Sequence, residues 1–394
     1  MINDKSSQIK IEEKNKTSNF TKGEKGKKLK KNSDGNSGDS KFAVMKKDKE
    51  ESSSEEYYGE EELYSSYYSK NYHTKYKREK IYGIFGFKNN KLSNNCFINS
   101  SLQNLLHCDK FKSFLNTIPE RKLIDKPLTK NVKKLIERIK KGDDELDPND
   151  IKTTLATIEE KYQYNEQNDA NEFITIFLNQ LLKELNKCGD YETIKNIPDN
   201  ELEEKAFQKL ENRFFLKNNS FLLNLFYGRI KRDYICKNRH LCMVKFNNFN
   251  TLILPQPTNS NYIVDLLNLY QEEKQINDTL FCRECQKDME YSIKTSIYSV
   301  PEYLILCLEK ENLYSSSGLK YQKLLKTNEF MENNNSIYYL NSLIVYLGNR
   351  KFGHYIAKCS QDKKWYYISD NYYTEIGEEE VNDRNAIILF YSKY

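Results

Sequence analysis

A thiol, an imidazole and an adjacent oxygen-bearing pair stand out as groups able to work together: Cys96, His354, and Ser369 with Asp370. Cys96 follows three candidate caps, Ser93, Asn94 and Asn95. It precedes Ile98, Leu102, Leu105 and Leu106, which recur at steps of four, three and one. That spacing predicts a helix over 92–106 with the thiol near its start. There the helix dipole and unpaired N–H groups favour thiolate, the nucleophilic form. A base is found by elimination among four histidines. His73 sits in a polar tail, His107 follows the Cys96 helix, and His240 sits beside Cys236 and Cys242. His354 remains, in Phe352-Gly353-His354-Tyr355, with a β-like run on each side. A third group should orient its ring. Ser369 and Asp370 end the next β-like run, Trp365 to Asp370, and Asp370 is the stronger partner by charge. Singly, a cysteine at a helix start or a histidine at a strand start is more often a packing residue; together they form a signal.

A second group has metal-ligand types. Cys282 and Cys285 form a C-x2-C pair, and Cys236, His240 and Cys242 lie some forty residues earlier. Two such half-sites on separate hairpins would close a tetrahedral structural zinc site, with Cys236 joined by either His240 or Cys242. Free buried thiols are the alternative. Cys307 and Cys359 sit inside apolar runs and read as packing residues, while Cys108 and Cys188 carry no legible signal.

The elements that must position these groups follow from periodicity. Residues 130–141 read as an amphipathic helix ended by Gly142. The strongest helical pattern is 169–186, with Asp169 as cap and Glu172 completing a capping box. From about 225 onward, runs rich in Ile, Val and Tyr alternate with polar loops. Helices first and an antiparallel β region after give an α+β fold class.

Of 394 residues only 38% are hydrophobic, and the net charge is +5. Residues 1–50 hold 14 Lys against 8 Asp and Glu, a net +6, so the remainder sums to −1. Residues 1–80 thus read as a disordered Lys/Ser/Asn-rich arm and 81–394 as the folded domain. The charge bias is too weak to argue for nucleic acid except through that arm. Nine irregularly spaced cysteines argue against a disulfide-stapled secreted scaffold. The N-terminus has no apolar signal-peptide core, no run is long enough for a membrane helix, and no nucleotide-binding glycine pattern occurs.

These motifs, in this order, resemble the ubiquitin-specific protease family of deubiquitinases over about residues 82–394. Gly86, Phe87, Asn89, Cys96, Asn99, Ser100, Leu102 and Gln103 fall in register with its Cys box. Gln167-Asn168-Asp169-Ala170-Asn171-Glu172-Phe173 is similar to its Gln-rich helix start, and 301–310 to the strand after its second zinc pair. Gly353-His354-Tyr355, Trp365 and the terminal Ile-Leu-Phe-Tyr-Ser-Lys are similar to its His box. The resemblance implies a papain-like catalytic domain with a helical thumb, a β-rich palm and zinc-bearing fingers.

The chain departs from the family pattern at three points. The family's oxyanion Asn falls on Lys91, with Asn90 and Asn89 next in line and the Cys96 N–H as a second donor. Its second zinc Cys falls on Arg239, so His240 or Cys242 substitutes or the metal is absent. Its third catalytic residue falls on Ser369, beside Asp370. The expected activity is cleavage at ubiquitin's C-terminal glycine by Cys96, with His354 as base and acid. A monomer in the cytosol or nucleus is expected, with ubiquitin and ubiquitinated proteins as partners and no membrane partner. Competing readings are a catalytically weak ubiquitin-binding scaffold, a protease for a ubiquitin-like modifier, and a papain-type peptidase acting on ordinary polypeptides.

Overall fold

The computed structural model describes residues 83–89, 93–143, 146–186, 220–255, 262–309, 321–332, 334–348 and 353–394. The arm at 1–80, Asn90, Lys91 and Cys188 lie outside the described residues. Six described helices precede the first strand: α1 (Cys96–Leu106), α2 (Asp109–Thr117), α3 (Pro127–Lys141), α4 (Asn149–Ala156), α5 (Ala170–Leu185) and α6 (Phe221–Phe226). A seventh, α7 (Ile263–Tyr270), lies among the strands. The α3 helix stops at Gly142, whose φ of 73° is the left-handed conformation glycine adopts without steric cost. Arg138, Lys140 and Lys141 fill its last turn, where cations favour the helix dipole. In α5 half of the expected capping box forms: Glu172 N donates to Asp169 Oδ1 at 2.8 Å, while the Glu172 side chain pairs with Lys161 instead of reaching back to the cap.

The β region begins at Gly228 and builds two sheets. Strands β1 (Gly228–Cys236), β2 (Leu241–Phe249), β4 (Lys274–Cys282) and β5 (Lys287–Ser299) form a four-stranded antiparallel sheet ordered β2-β1-β5-β4. The larger sheet contains β3 (Leu252–Leu254), β6 (Tyr303–Leu308), β7 (Leu324–Lys326), β8 (Ile337–Gly348), β9 (Gly353–Gln361), β10 (Lys364–Ser369), β11 (Tyr372–Ile376) and β12 (Ala386–Lys393). Its order is β11-β10-β9-β8-β12-β6-β3, with β7 also on β8, and only β3–β6 is parallel. The α+β class expected from the sequence is the observed one.

The central strands of the larger sheet are buried on both faces, which is why they read as unbroken apolar runs. Along β12, Ile388 and Phe390 join the core shared with the helices, while Leu389 and Tyr391 join the core behind the sheet. Along β6, Ile305 faces the helices and Leu304 and Leu306 face away. The helix-side core centres on Phe97, Ile98, Leu102, Phe173 and Phe177.

One close approach brings the N-terminal segment to the sheet. A Cβ on Gly86 would stand 2.7 Å from the Asn371 Cα and 2.8 Å from its carbonyl carbon, so only glycine fits against the β10–β11 turn. Phe87 N donates to Asp370 O at 2.9 Å, and Lys88 N to Leu146 O at 2.8 Å. Because the obstacle is backbone, Gly86→Ala should destabilise the fold by about 1–3 kcal/mol, the usual cost of overpacking. Urea unfolding checks this; an unchanged midpoint would refute the contact.

Candidate active site

The α1 helix carries Cys96 as its first residue, and all eleven of its residues are buried. It begins four residues later than the sequence pattern predicts, and none of its candidate caps makes a capping bond. Their polar groups are used elsewhere. Ser93 Oγ donates to Asn89 Oδ1 at 2.9 Å, and Asn94 Nδ2 to Asn165 O at 2.9 Å. Asn95 Oδ1 accepts from Lys152 Nζ at 3.0 Å. Asn94 takes a φ of 45°, so the chain enters α1 through a left-handed residue rather than an ordinary cap.

His354 is the second residue of β9 and pairs with Leu347 of β8. A Cβ on the preceding Gly353 would fall 2.1 Å from the Tyr346 ring, so the strand start is shaped around that aromatic. His354 Nε2 and Ser369 Oγ lie 2.8 Å apart. Asp370 Oδ2 is farther, 3.9 Å from the same nitrogen. The Cys96 side chain also hydrogen-bonds His354. Burial alone would lower the His354 pKa; the bond with Cys96 and the Asp370 charge outweigh it and raise the value to about 9. Cys96, His354, Ser369 and Asp370 therefore converge as their residue types suggest. Ser369 makes the direct contact and Asp370 supplies charge.

Asn89 is placed otherwise than expected. Its Nδ2 donates to Asp370 Oδ2 at 3.0 Å, and its Oδ1 accepts from Ser93 Oγ and from Asn95 N at 3.1 Å. One N–H of the amide is thus engaged by the Asp370 carboxylate. Asn99 Nδ2 donates to the other oxygen, Asp370 Oδ1, at 2.7 Å. Asn90, the other candidate, lies outside the described residues. Sequence reasoning missed Gln167, taking it only as part of the motif before α5. Its Nε2 lies 3.7 Å from Cys96 Sγ and donates to the Gly353 carbonyl.

A second cluster forms at the tips of two hairpins. Cys236 ends β1 and His240 lies in the turn to β2; Cys282 ends β4 and Cys285 lies in the turn to β5. Their ligand atoms all lie within 4.8 Å of one another, with His240 Nδ1 3.3 Å from Cys285 Sγ and 3.7 Å from Cys282 Sγ. Three thiols and an imidazole at that spacing can hold a metal ion, and the donor set suits a tetrahedral one. Arg239 and Gln286 take left-handed φ values of 67° and 55°, which fold each turn back toward the cluster. Cys242 is outside this set of four; its Sγ donates to the His240 carbonyl at 3.6 Å. Of the two alternatives left open by the sequence, His240 is the one whose ligand atom converges.

A thiol at a helix start, bonded to an imidazole on a facing strand that is oriented by an oxygen-bearing side chain, defines a papain-like cysteine hydrolase arrangement. The ubiquitin carboxyl-terminal hydrolase family profile matches residues 85–391, and the chain belongs to that family. Ubiquitin carboxyl-terminal hydrolase Usp2 of Drosophila melanogaster is 26% identical over 339 residues, covering 80% of this chain and 35% of that protein. Ubiquitin carboxyl-terminal hydrolase 2 of Bos taurus is 25% identical over 342 residues, covering 78% and 55%. The chain thus spans between about a third and about half the length of these relatives. Among solved structures, the SAGA DUB module Ubp8/Sgf11/Sus1/Sgf73 bound to monoubiquitin matches with TM-score 0.62 at 18% identity, covering 84% of this chain and 74% of that one. The same module bound to ubiquitin aldehyde gives 0.61 at 18% identity, with 84% and 76% covered. These matches carry the same α+β, papain-like fold.

The His354 shift has a pH consequence. Its folded value, about 9, lies above its ordinary value of 6.5. The stability it contributes is fully present below pH 6.5 and is lost as pH rises through about 9. Asp370→Asn removes one raising charge. His354 should then titrate at lower pH by NMR, and the alkaline loss of stability should shrink. An unchanged titration would contradict the assignment of that charge.

Proposed function

We propose that this chain is a cysteine-type deubiquitinase that hydrolyses the bond to the C-terminal glycine of ubiquitin. The carrying observation is the Cys96–His354–Ser369 alignment, with Asp370 behind it, in a chain of the ubiquitin carboxyl-terminal hydrolase family. The matched fold bound to monoubiquitin and to ubiquitin aldehyde supports ubiquitin as the partner.

In this reading the Cys96 proton already rests on His354, and the sulfur bonds to the glycine carbonyl carbon while the C=O pair moves onto oxygen. When the C=O re-forms, the C–N bond breaks and the amine leaves with the proton from His354. Water then attacks the thioester, passing a proton to His354. The C–S bond breaks, the free carboxyl end of ubiquitin departs, and Cys96 returns as thiolate beside the protonated ring. Ser369 holds the ring for both transfers. The Asp370 carboxylate stabilises the imidazolium form.

We assign the Cys236–His240–Cys282–Cys285 cluster to a structural zinc ion. It joins two hairpins whose strands are largely solvent-accessible and have little core of their own. A metal there ties the hairpin tips together and leaves the reaction to the other site. The eight described cysteines are unpaired, which suits a reducing compartment, the cytosol or nucleus. Among the described residues no helix is long and apolar enough to cross a membrane.

A fluorogenic ubiquitin C-terminal amide tests the activity. The full chain should turn it over, and Cys96→Ser should lower kcat by at least about 10³-fold. No turnover by folded wild-type protein, or preference for a ubiquitin-like modifier in the same assay, would overturn the reading. Metal analysis should find about one zinc per chain. The Cys282→Ser/Cys285→Ser double variant should lose it and melt at lower temperature; well under one zinc in folded wild-type protein would reject the assignment.

A further inference from the structure

The oxygen of the attacked carbonyl becomes negatively charged when the sulfur adds, and it needs preorganised donors. The position that resembles the family's Asn donor is Lys91, and one N–H of Asn89 is engaged by Asp370. We propose that Gln167 is a catalytic residue whose side-chain amide donates to this oxyanion; the inference rests on the hydrolase reading above.

The geometry carries it. Gln167 Nε2 lies 3.7 Å from Cys96 Sγ. The same nitrogen donates to the carbonyl of Gly353, the residue before His354. An amide nitrogen has two N–H groups. One is anchored on Gly353, and the other faces the sulfur. The oxyanion forms two bonds from that sulfur, so a donor in contact with the sulfur reaches it. No proton changes hands: the N–H donates to oxygen while the C–S bond exists and is released when the C=O re-forms.

The loop bearing Gln167 is tied to the nucleophile's turn. Lys152 Nζ donates to Ser93 O at 3.2 Å, Asn95 Oδ1 at 3.0 Å and Asn165 Oδ1 at 3.1 Å. Asn94 Nδ2 adds a bond to Asn165 O. Lys152 is 6% exposed, and among the described residues its acceptors are these three neutral oxygens. A buried ammonium without a carboxylate is costly unless its hydrogen bonds are complete. Here those bonds fix Gln167's loop, two residues before it, to the turn that presents Cys96. Asp169 capping α5 fixes the other side. The donor is therefore set before substrate arrives, as electrostatic stabilisation requires.

Gln167→Ala and Gln167→Met in the full chain test the role, the second keeping side-chain length should the first fail to fold. Two readouts are compared. One is kcat and KM on the fluorogenic ubiquitin amide. The other is the rate of Cys96 alkylation by iodoacetamide across pH, followed by mass spectrometry of the Cys96 peptide. Displacement of iodide forms no oxyanion, so alkylation reports only the thiol and its base. The expected result is a kcat lower by roughly 10²-fold with KM within about twofold, and an unchanged alkylation rate and pH profile. Unchanged turnover would overturn the proposal. So would alkylation falling by the same factor as turnover, since Gln167 would then only position the Cys96–His354 pair. Wild-type protein without ubiquitin turnover would sink the functional reading itself, and the proposal with it; active wild-type protein with normal Gln167 variants would sink the proposal alone.

Discussion

The Asp370 carboxylate is the point on which the arrangement around Cys96 and His354 depends. One oxygen accepts from Asn99 of α1, the other from Asn89 of the N-terminal segment, and the backbone carbonyl of the same residue accepts from Phe87. The N-terminal segment and α1 thus meet a residue 271 or more positions later in the chain, with His354 Nε2 3.9 Å from the carboxylate. Asp370 has a φ of 52°, a conformation Asp tolerates better than most residues. The turn that places its carboxylate also places Ser369 on the ring. A division of labour follows. The serine supplies direction through a short neutral hydrogen bond, and the aspartate supplies charge without a direct contact. A carboxylate already holding two amides is less free to turn toward the imidazole, and the serine fills that place.

Much of the fold was legible because period and turn chemistry agreed with the final packing. The α5 helix has its cap, and α3 has its terminal glycine. The strands of the larger sheet were read from apolar runs that prove to be buried on both faces. The start of α3 was not legible. It begins at Pro127, before the amphipathic run, because Glu184 of α5 accepts from Leu128 N and Thr129 N at 3.1 and 2.8 Å. A cap supplied from a residue more than fifty positions away leaves no local signal. The strands β1, β2 and β4 were legible only as hairpins implied by the metal half-sites. Their residues are mostly half-buried or exposed, so neither alternation nor an apolar run marks them.

The site was legible in its residue types and less so in their bonds. Scarcity of histidine and the order of the motifs singled out Cys96 and His354. No spacing rule shows that three successive cap-type residues, Ser93, Asn94 and Asn95, would each bond outward instead of capping α1. Gln167 was hidden in the same way: the run before α5 reads as a helix start, and only the packing of α5 against α1 brings the side chain to the sulfur. At the hairpin tips, sequence left His240 and Cys242 as alternatives. The turn geometry, with Arg239 left-handed between Cys236 and His240, turns the imidazole toward Cys282 and Cys285.

The interior of α1 explains how a thiol is positioned at the start of a wholly buried helix. Its buried residues include Asn99, Ser100, Ser101, Gln103 and Asn104; the amide oxygens of Asn99, Gln103 and Asn104 are buried without a partner, a desolvation cost, while the donors are met. Most of their donors are spent on backbone carbonyls within reach. Ser101 Oγ donates to Phe97 O, Asn104 Nδ2 to Ser100 O, and Gln103 Nε2 to Phe85 O of the N-terminal segment. Of these five, Asn99 reaches the Asp370 carboxylate. These bonds have direction, which apolar contacts lack, so they fix the rotation and depth of α1 between α5 and the sheet. Rotating the helix by one residue would break the bonds to Phe85, Lys88 and Asp370 together. A polar, buried helix therefore holds the Cys96 sulfur at a set distance from an imidazole that belongs to a different layer of the fold.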